Sequence, residues 1–208
     1  MGSIGGKRRV AAALACAGIA ALAVTAAPSA ASAATALPDA GGRTPGHGPA
    51  RFTLPADAPK PDGAYRIQSA YKVLPGGTQT YSCDATTGQW GTASIPEAQL
   101  ARYGGPGRIH HYRDPSLTPA GPRWTARDGG TLVGTVVADK TVPKAGTIPW
   151  LLLSVVHEND GPRKELHSVD FISRVNTTGG AGPTGACTAG ETKSVPYGAD
   201  YVFWTKKK

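Results

Sequence analysis

The chain is poor in the residue patterns that usually announce a reaction. It contains three cysteines in 208 residues and no C-x-x-C pair, so the closely spaced thiolates of a structural zinc site are missing. No G-x-S-x-G elbow occurs, which leaves Ser82, beside Cys83, and Ser154, inside an apolar run, without the strained turn that would mark a nucleophile. No basic helix or finger pattern is present, and this argues against sequence-specific nucleic-acid recognition. One apolar run near the start is interrupted by Thr25 and Pro28, and no second run of spanning length follows, so no transmembrane anchor is expected.

What the sequence does contain begins with an export signal. Lys7, Arg8 and Arg9 precede an apolar stretch over residues 10–27, and Ala31-Ser32-Ala33 supplies small residues for cleavage, which makes residues 1–33 a signal peptide. Cys16 belongs to that leader. The mature chain, expected to be secreted and extracellular, retains Cys83 and Cys187, and thiols are not kept reduced outside the cytoplasm. An even count of two favours one disulfide between them. The alternative is a pair of buried free thiols, but Cys187 sits in loop-like sequence between Gly185 and Gly190. Removing the three leader bases lowers the formal charge from +8 to +5, and Lys206-Lys207-Lys208 forms a basic tail. That balance favours loose attraction to anionic polymers at a cell surface.

Residues 34–62 carry six prolines and few large apolar side chains, too little buried surface to offset the entropy of ordering, so they read as a disordered linker. Residues 63–205 change texture. "YRIQSAYKVL" alternates, with Tyr65, Ile67, Tyr71 and Val73 on one face, and Pro75-Gly76-Gly77 then turns the chain into "TQTYSC". Asp128-Gly129-Gly130 between two alternating runs is a hairpin signal. "IPWLLLSVV" is apolar throughout, as in a strand covered on both faces, and Asn159-Asp160-Gly161 offers the next reversal. Ser94 to Arg102 reads as one short helix, because Ser94 and Glu97 stand at capping-box spacing before Ala98, Leu100 and Ala101. The expected fold is all-β, an antiparallel β-sandwich or barrel of about 7–9 strands with one short helix and one disulfide.

The ordered set "YSC" at 81–83, "IHHY" at 109–112, "IPWLLL" at 148–153, "RVNTTGGAGPTGAC" at 174–187 and "VPYGADYVFW" at 195–204 resembles the secreted domain of unknown function 3455 family. The resemblance implies a signal peptide, two cysteines and a glycine-rich segment between late strands, and it implies no activity. Some relatives carry a malate dehydrogenase label. "GGPGRIH" at 104–110 lacks the third glycine of a dinucleotide fingerprint and gives that label no support.

The candidate binding residues are His110, His111, Tyr112 and Trp124. Imidazoles near Asp114, with His157 and His167 further on, could bind metal or move protons. Adjacent strand residues face opposite sides, however, so His110 and His111 cannot share one ligand without a bulge. Trp90, Tyr103, Tyr112 and Trp124 could stack on sugars. The function read from these residues is an extracellular or cell-envelope binding or structural module with no cofactor, its ligand a polysaccharide or anionic polymer. The alternative is a secreted hydrolase or metal-dependent enzyme using the His110/His111 region.

Overall fold

The computed structural model describes residues 51–159 and 161–208. The signal segment with Cys16, linker residues 34–50 and Asp160 lie outside the described residues. Nine strands follow one another: β1 (Tyr65–Val73), β2 (Thr78–Asp84), β3 (Gln89–Arg102), β4 (Arg108–Tyr112), β5 (Arg123–Ala126), β6 (Thr131–Val142), β7 (Trp150–Asn159), β8 (Phe171–Gly179) and β9 (Thr192–Lys206). All belong to one antiparallel sheet. Each strand from β3 onward pairs with the next in sequence, and β1 pairs with both β3 and β9, so the sheet closes on itself as a barrel. Closure removes the open edges that would otherwise invite pairing with other chains.

Two expectations need correction. No helix occurs among the described residues; Ser94 to Arg102 is the second half of β3. Good helix formers there adopt a strand because their burial has period two: Pro96, Ala98 and Leu100 are buried, while Glu97 and Gln99 between them are exposed. Ser94 caps nothing and instead donates its hydroxyl to Gln79 Oε1 at 2.6 Å. The second correction concerns Pro75-Gly76-Gly77. β1 lies against residues 100–102 of β3 and 200–206 of β9, while β2 lies against residues 89–97 and 192–196 of the same two strands. Both run antiparallel to both neighbours, so the turn residues interrupt one long stave without reversing it. Gly77 allows the tight step: a Cβ there would come 2.6 Å from Val73 Cγ1.

Inward side chains of the strands form the main core, with Tyr71, Leu100, Ile109, Leu132, Ile172 and Phe203 fully buried. One end of the barrel is plugged by the β7–β8 connection, whose Leu166 and Val169 join that core. Glu165 fastens the plug: it accepts a hydrogen bond from the Tyr71 hydroxyl at 2.5 Å and lies 3.7 Å from Arg102. Gln68 Nε2 adds bonds to the carbonyls of Glu165 and His167. A second apolar cluster covers the outer face of β8 and β9. There Phe52, Leu54 and Ala58 pack with Val175, Val202 and Trp204, and Ser173 Oγ links the layers by donating to the Pro59 carbonyl and accepting from Trp204 Nε1.

The disulfide joins Cys83 to Cys187, with Cα atoms 5.8 Å apart. It ties the 180–191 segment to the β2–β3 hairpin, where Cys187 N–H also donates to the Gly88 carbonyl and Cys83 N–H to that of Glu191. No helix of the described residues is long and apolar enough to cross a membrane.

Candidate ligand cavity in the barrel lumen

Pairing of β4 with β5 sets the site. His111 lies opposite Trp124 in the register, and strand alternation turns both inward and His110 outward. The His111 ring stacks on the Trp124 indole, centroids 4.4 Å apart and planes 12° from parallel, and Tyr201 closes on both rings from β9 at 4.9 and 5.7 Å. His111 and Trp124 are each 1% exposed. The indole fits only because residue 134 on β6 has no side chain: a Cβ there would stand 2.8 Å from Trp124 Cζ3 and 2.9 Å from Leu153 Cδ2. Replacing Gly134 with Ala should therefore cost about 1–3 kcal/mol by overpacking and change the near-ultraviolet circular dichroism of the aromatic cluster. Urea unfolding measures the first effect, and an unchanged midpoint would show that the cluster has slack.

Burial holds the His111 imidazole well below its usual range, at about 3. The ring is thus neutral near pH 7. Its Nδ1–H donates to the Arg123 carbonyl at 2.9 Å, which makes Nε2 an acceptor.

Around this cluster lies a cavity of about 100 Å³. Its apolar lining is Pro96, Pro122, Leu151 and Leu153, with half-exposed Val136 at the mouth. Interleaved with these are Gln79, Ser94, His111, Arg113, Trp124, Arg174 and Tyr201, with Gln79 opposite Pro96 and Arg174 opposite Leu151 in the strand register. Three buried donors of these residues, Gln79 Nε2, Arg113 Nε and Trp124 Nε1, have no hydrogen-bond partner among the described residues. Gln79 itself is 2% exposed, and the bond from Ser94 to its Oε1 fixes which end of the amide is left over. Arg174 is braced by Nε and Nη2, which donate to the Pro149 carbonyl at 3.1 and 2.9 Å. No aspartate or glutamate lines the cavity. Each unsatisfied buried donor costs about 1–3 kcal/mol, so three in one small space mark a place built to receive acceptors.

Residues 107–205 match the family described as protein of unknown function, DUF3455. Over that stretch the chain is similar to the DUF3455 family. No curated protein and no solved structure matches the chain. The DUF3455 match takes in His111, Arg113, Trp124, Arg174 and Tyr201 of the cavity lining, along with Cys187; Gln79, Ser94 and Cys83 precede it.

The four residues expected to bind are thus divided by strand alternation into two pairs. His111 and Trp124 line the cavity. His110 and Tyr112 stack on each other outside, centroids 4.5 Å apart, and His110 Nε2 is 2.6 Å from Glu97 Oε1. The wider histidine group does not converge. Asp114 takes up the Ser116 hydroxyl and N–H, His157 Nε2 meets the Val169 carbonyl, and no cluster of three His, Cys, Asp or Glu able to hold a metal occurs among the described residues. Sequence reading missed Gln79, Arg113 and Arg174. A signal existed: Arg174 lies two residues after inward Ile172, and Arg113 two after inward His111, so each polar residue sits in a core-facing phase.

Proposed function

We propose that this chain is an exported binding protein whose barrel lumen takes one small, acceptor-rich molecule. The observation that carries the reading is the set of three buried, unpartnered N–H donors among the residues lining a single cavity. Binding is favoured over catalysis by the residue types present. Guanidinium, indole and amide N–H groups hold a ligand, while His111, with its pKa near 3, is too weak a base to take protons effectively at neutral pH. The cavity volume suits a small molecule and not a polymer. A polysaccharide would need an extended strip of aromatic faces, and the outer face of β4 offers only the His110–Tyr112 stack.

A test uses the mouth. Val136 is 48% exposed, so a Val136→Trp variant can block entry while the core is left in place. Ligand-observed NMR against a library of small polar molecules should find binders to the native protein whose signals are lost with V136W, with circular dichroism showing the variant folded. Binders that persist unchanged in V136W would place the site elsewhere and end the lumen reading.

A further inference from the structure

We infer that the lumen ligand is a small carboxylate with a compact apolar body, its acid group held by Arg113 and Arg174. This rests on the lumen-binding reading and adds the chemical class. Two guanidinium groups line the cavity and no carboxylate accompanies them. Salt bridges of the described residues pair Arg102, Arg123, Lys140 and Lys144 with acids, and neither cavity arginine takes part in one. Two like charges facing a poorly solvated space repel each other, and one anion between them reverses the sign of that interaction.

Hydrogen-bond capacity points the same way. Arginine has only donors, and so has the Trp124 indole. Gln79 has its carbonyl oxygen occupied by Ser94, so it too offers only N–H. Against these stand fewer acceptors: His111 Nε2 and the hydroxyl oxygens of Ser94 and Tyr201. The lining therefore asks for a ligand with several acceptor lone pairs in a small space, which a carboxylate supplies, and its planar pair of oxygens matches the guanidinium fork. Arg174 is held ready for this role, because Nε and Nη2 are already anchored on the Pro149 carbonyl.

The rest of the ligand follows from the apolar lining, which adjoins the polar groups: Leu151 lies opposite Arg174 and Pro96 opposite Gln79 in the strand register. Leu151, Leu153, Pro96 and Pro122 offer carbon surface with no donors or acceptors on their side chains. A cavity of about 150 Å³ with apolar walls accommodates benzene, so a volume of about 100 Å³ favours a short branched chain over a benzene ring, with isobutyrate the better fit and benzoate the upper limit of size. A bare inorganic oxyanion would satisfy the arginines and leave the apolar lining unused.

Isothermal titration of the full-length mature chain with two acids, benzoate and isobutyrate, and with their neutral amides, benzamide and isobutyramide, tests the inference. Inorganic phosphate serves as an oxyanion without a body. At least one acid should bind at least tenfold more tightly than its amide and than phosphate. Arg113→Gln, at a half-buried position just beyond β4, should shrink the acid-to-amide ratio severalfold, and V136W should abolish binding of the acid. Failure of both acids to bind overturns the carboxylate assignment, and so does equal binding of acid and amide. If V136W still abolishes binding of the amides, or of other small molecules, the lumen reading survives that loss. Phosphate binding more tightly than either acid overturns the apolar body. Acid binding untouched by V136W overturns both readings together.

Discussion

Reduction of the Cys83–Cys187 bridge should remove about 4–5 kcal/mol of stability, the entropy that a cross-link spanning about a hundred residues takes from the unfolded chain; the separation here is 104 residues. A domain of this size is stable by about 5–15 kcal/mol, so the reduced protein should lose between about a quarter and all of its stability. The bridge also secures a segment with little else to hold it. Residues 181–191 contribute one isolated β-bridge, Gln89 to Ala186, and a few backbone bonds. Just before them, Gly180 has φ of +73° and a Cβ there would stand 2.8 Å from Tyr197 Cβ, so glycine is required where the chain leaves β8 and passes over Tyr81, whose hydroxyl donates to the Gly180 carbonyl. The bond and the glycines act together. Urea unfolding with and without reductant, alongside a Cys83→Ser/Cys187→Ser double variant, measures the effect. Matching midpoints for oxidised and fully reduced protein, with both thiols titrated, would refute it.

How far the sequence foretold this structure depended on whether local pattern and tertiary demand agreed. At Asp128-Gly129-Gly130 they agree: Gly129 takes φ of +80° and the Asp128 carboxylate accepts the Gly130 N–H, so the hairpin between β5 and β6 was legible. The unbroken apolar run of β7 also kept its meaning, since Leu151, Leu152 and Leu153 are all buried. Closure defeated local reading at Ser94 to Arg102, where helix formers were drawn into the sheet by two partners at once, β2 and β4. A bulge defeated it in β1. The register shifts between Ile67 and Ser69, so Tyr65 packs outside on Phe171 while Tyr71 packs inside on Phe203, and the single face assigned to both does not exist. Pro75-Gly76-Gly77 has the composition of a reversal; its directional outcome was set by β9, more than a hundred residues away. For the site, alternation correctly separated His110 from His111. It could not show that Arg113, Arg174 and Gln79 meet, because they come from three staves brought together only when the ring closes.

Acidification should destabilise the protein well above the pH at which carboxylates titrate, and His111 is the reason. In the unfolded chain an imidazole takes up a proton near 6.5, whereas burial holds the folded His111 neutral until about 3. Between those values the unfolded state binds more protons, so stability is full above about 6.5 and falls as the pH drops towards 3, by about 1.4 kcal/mol per unit inside the window. The loss from pH 7 to pH 5 should come to about 2 kcal/mol. The lowered carboxyl groups of Asp84, Asp114 and Asp128 also favour the folded state only while ionised, but their effect is lost below about 4, outside that interval. The buried tyrosines Tyr71, Tyr197 and Tyr201 are raised, which places their cost on the alkaline side, where the unfolded chain ionises first. Urea unfolding at pH 7, 6 and 5 reads the slope, and the ring-proton NMR shift of His111 reads its cause directly. A His111 resonance that titrates near 6 in the folded protein would refute the account. A flat resonance down to pH 4 would carry a further consequence for the lumen: with His111 neutral throughout, the positive charge there is set by Arg113 and Arg174 alone, and affinity for a carboxylate fully ionised across pH 5–8 should stay level over that range.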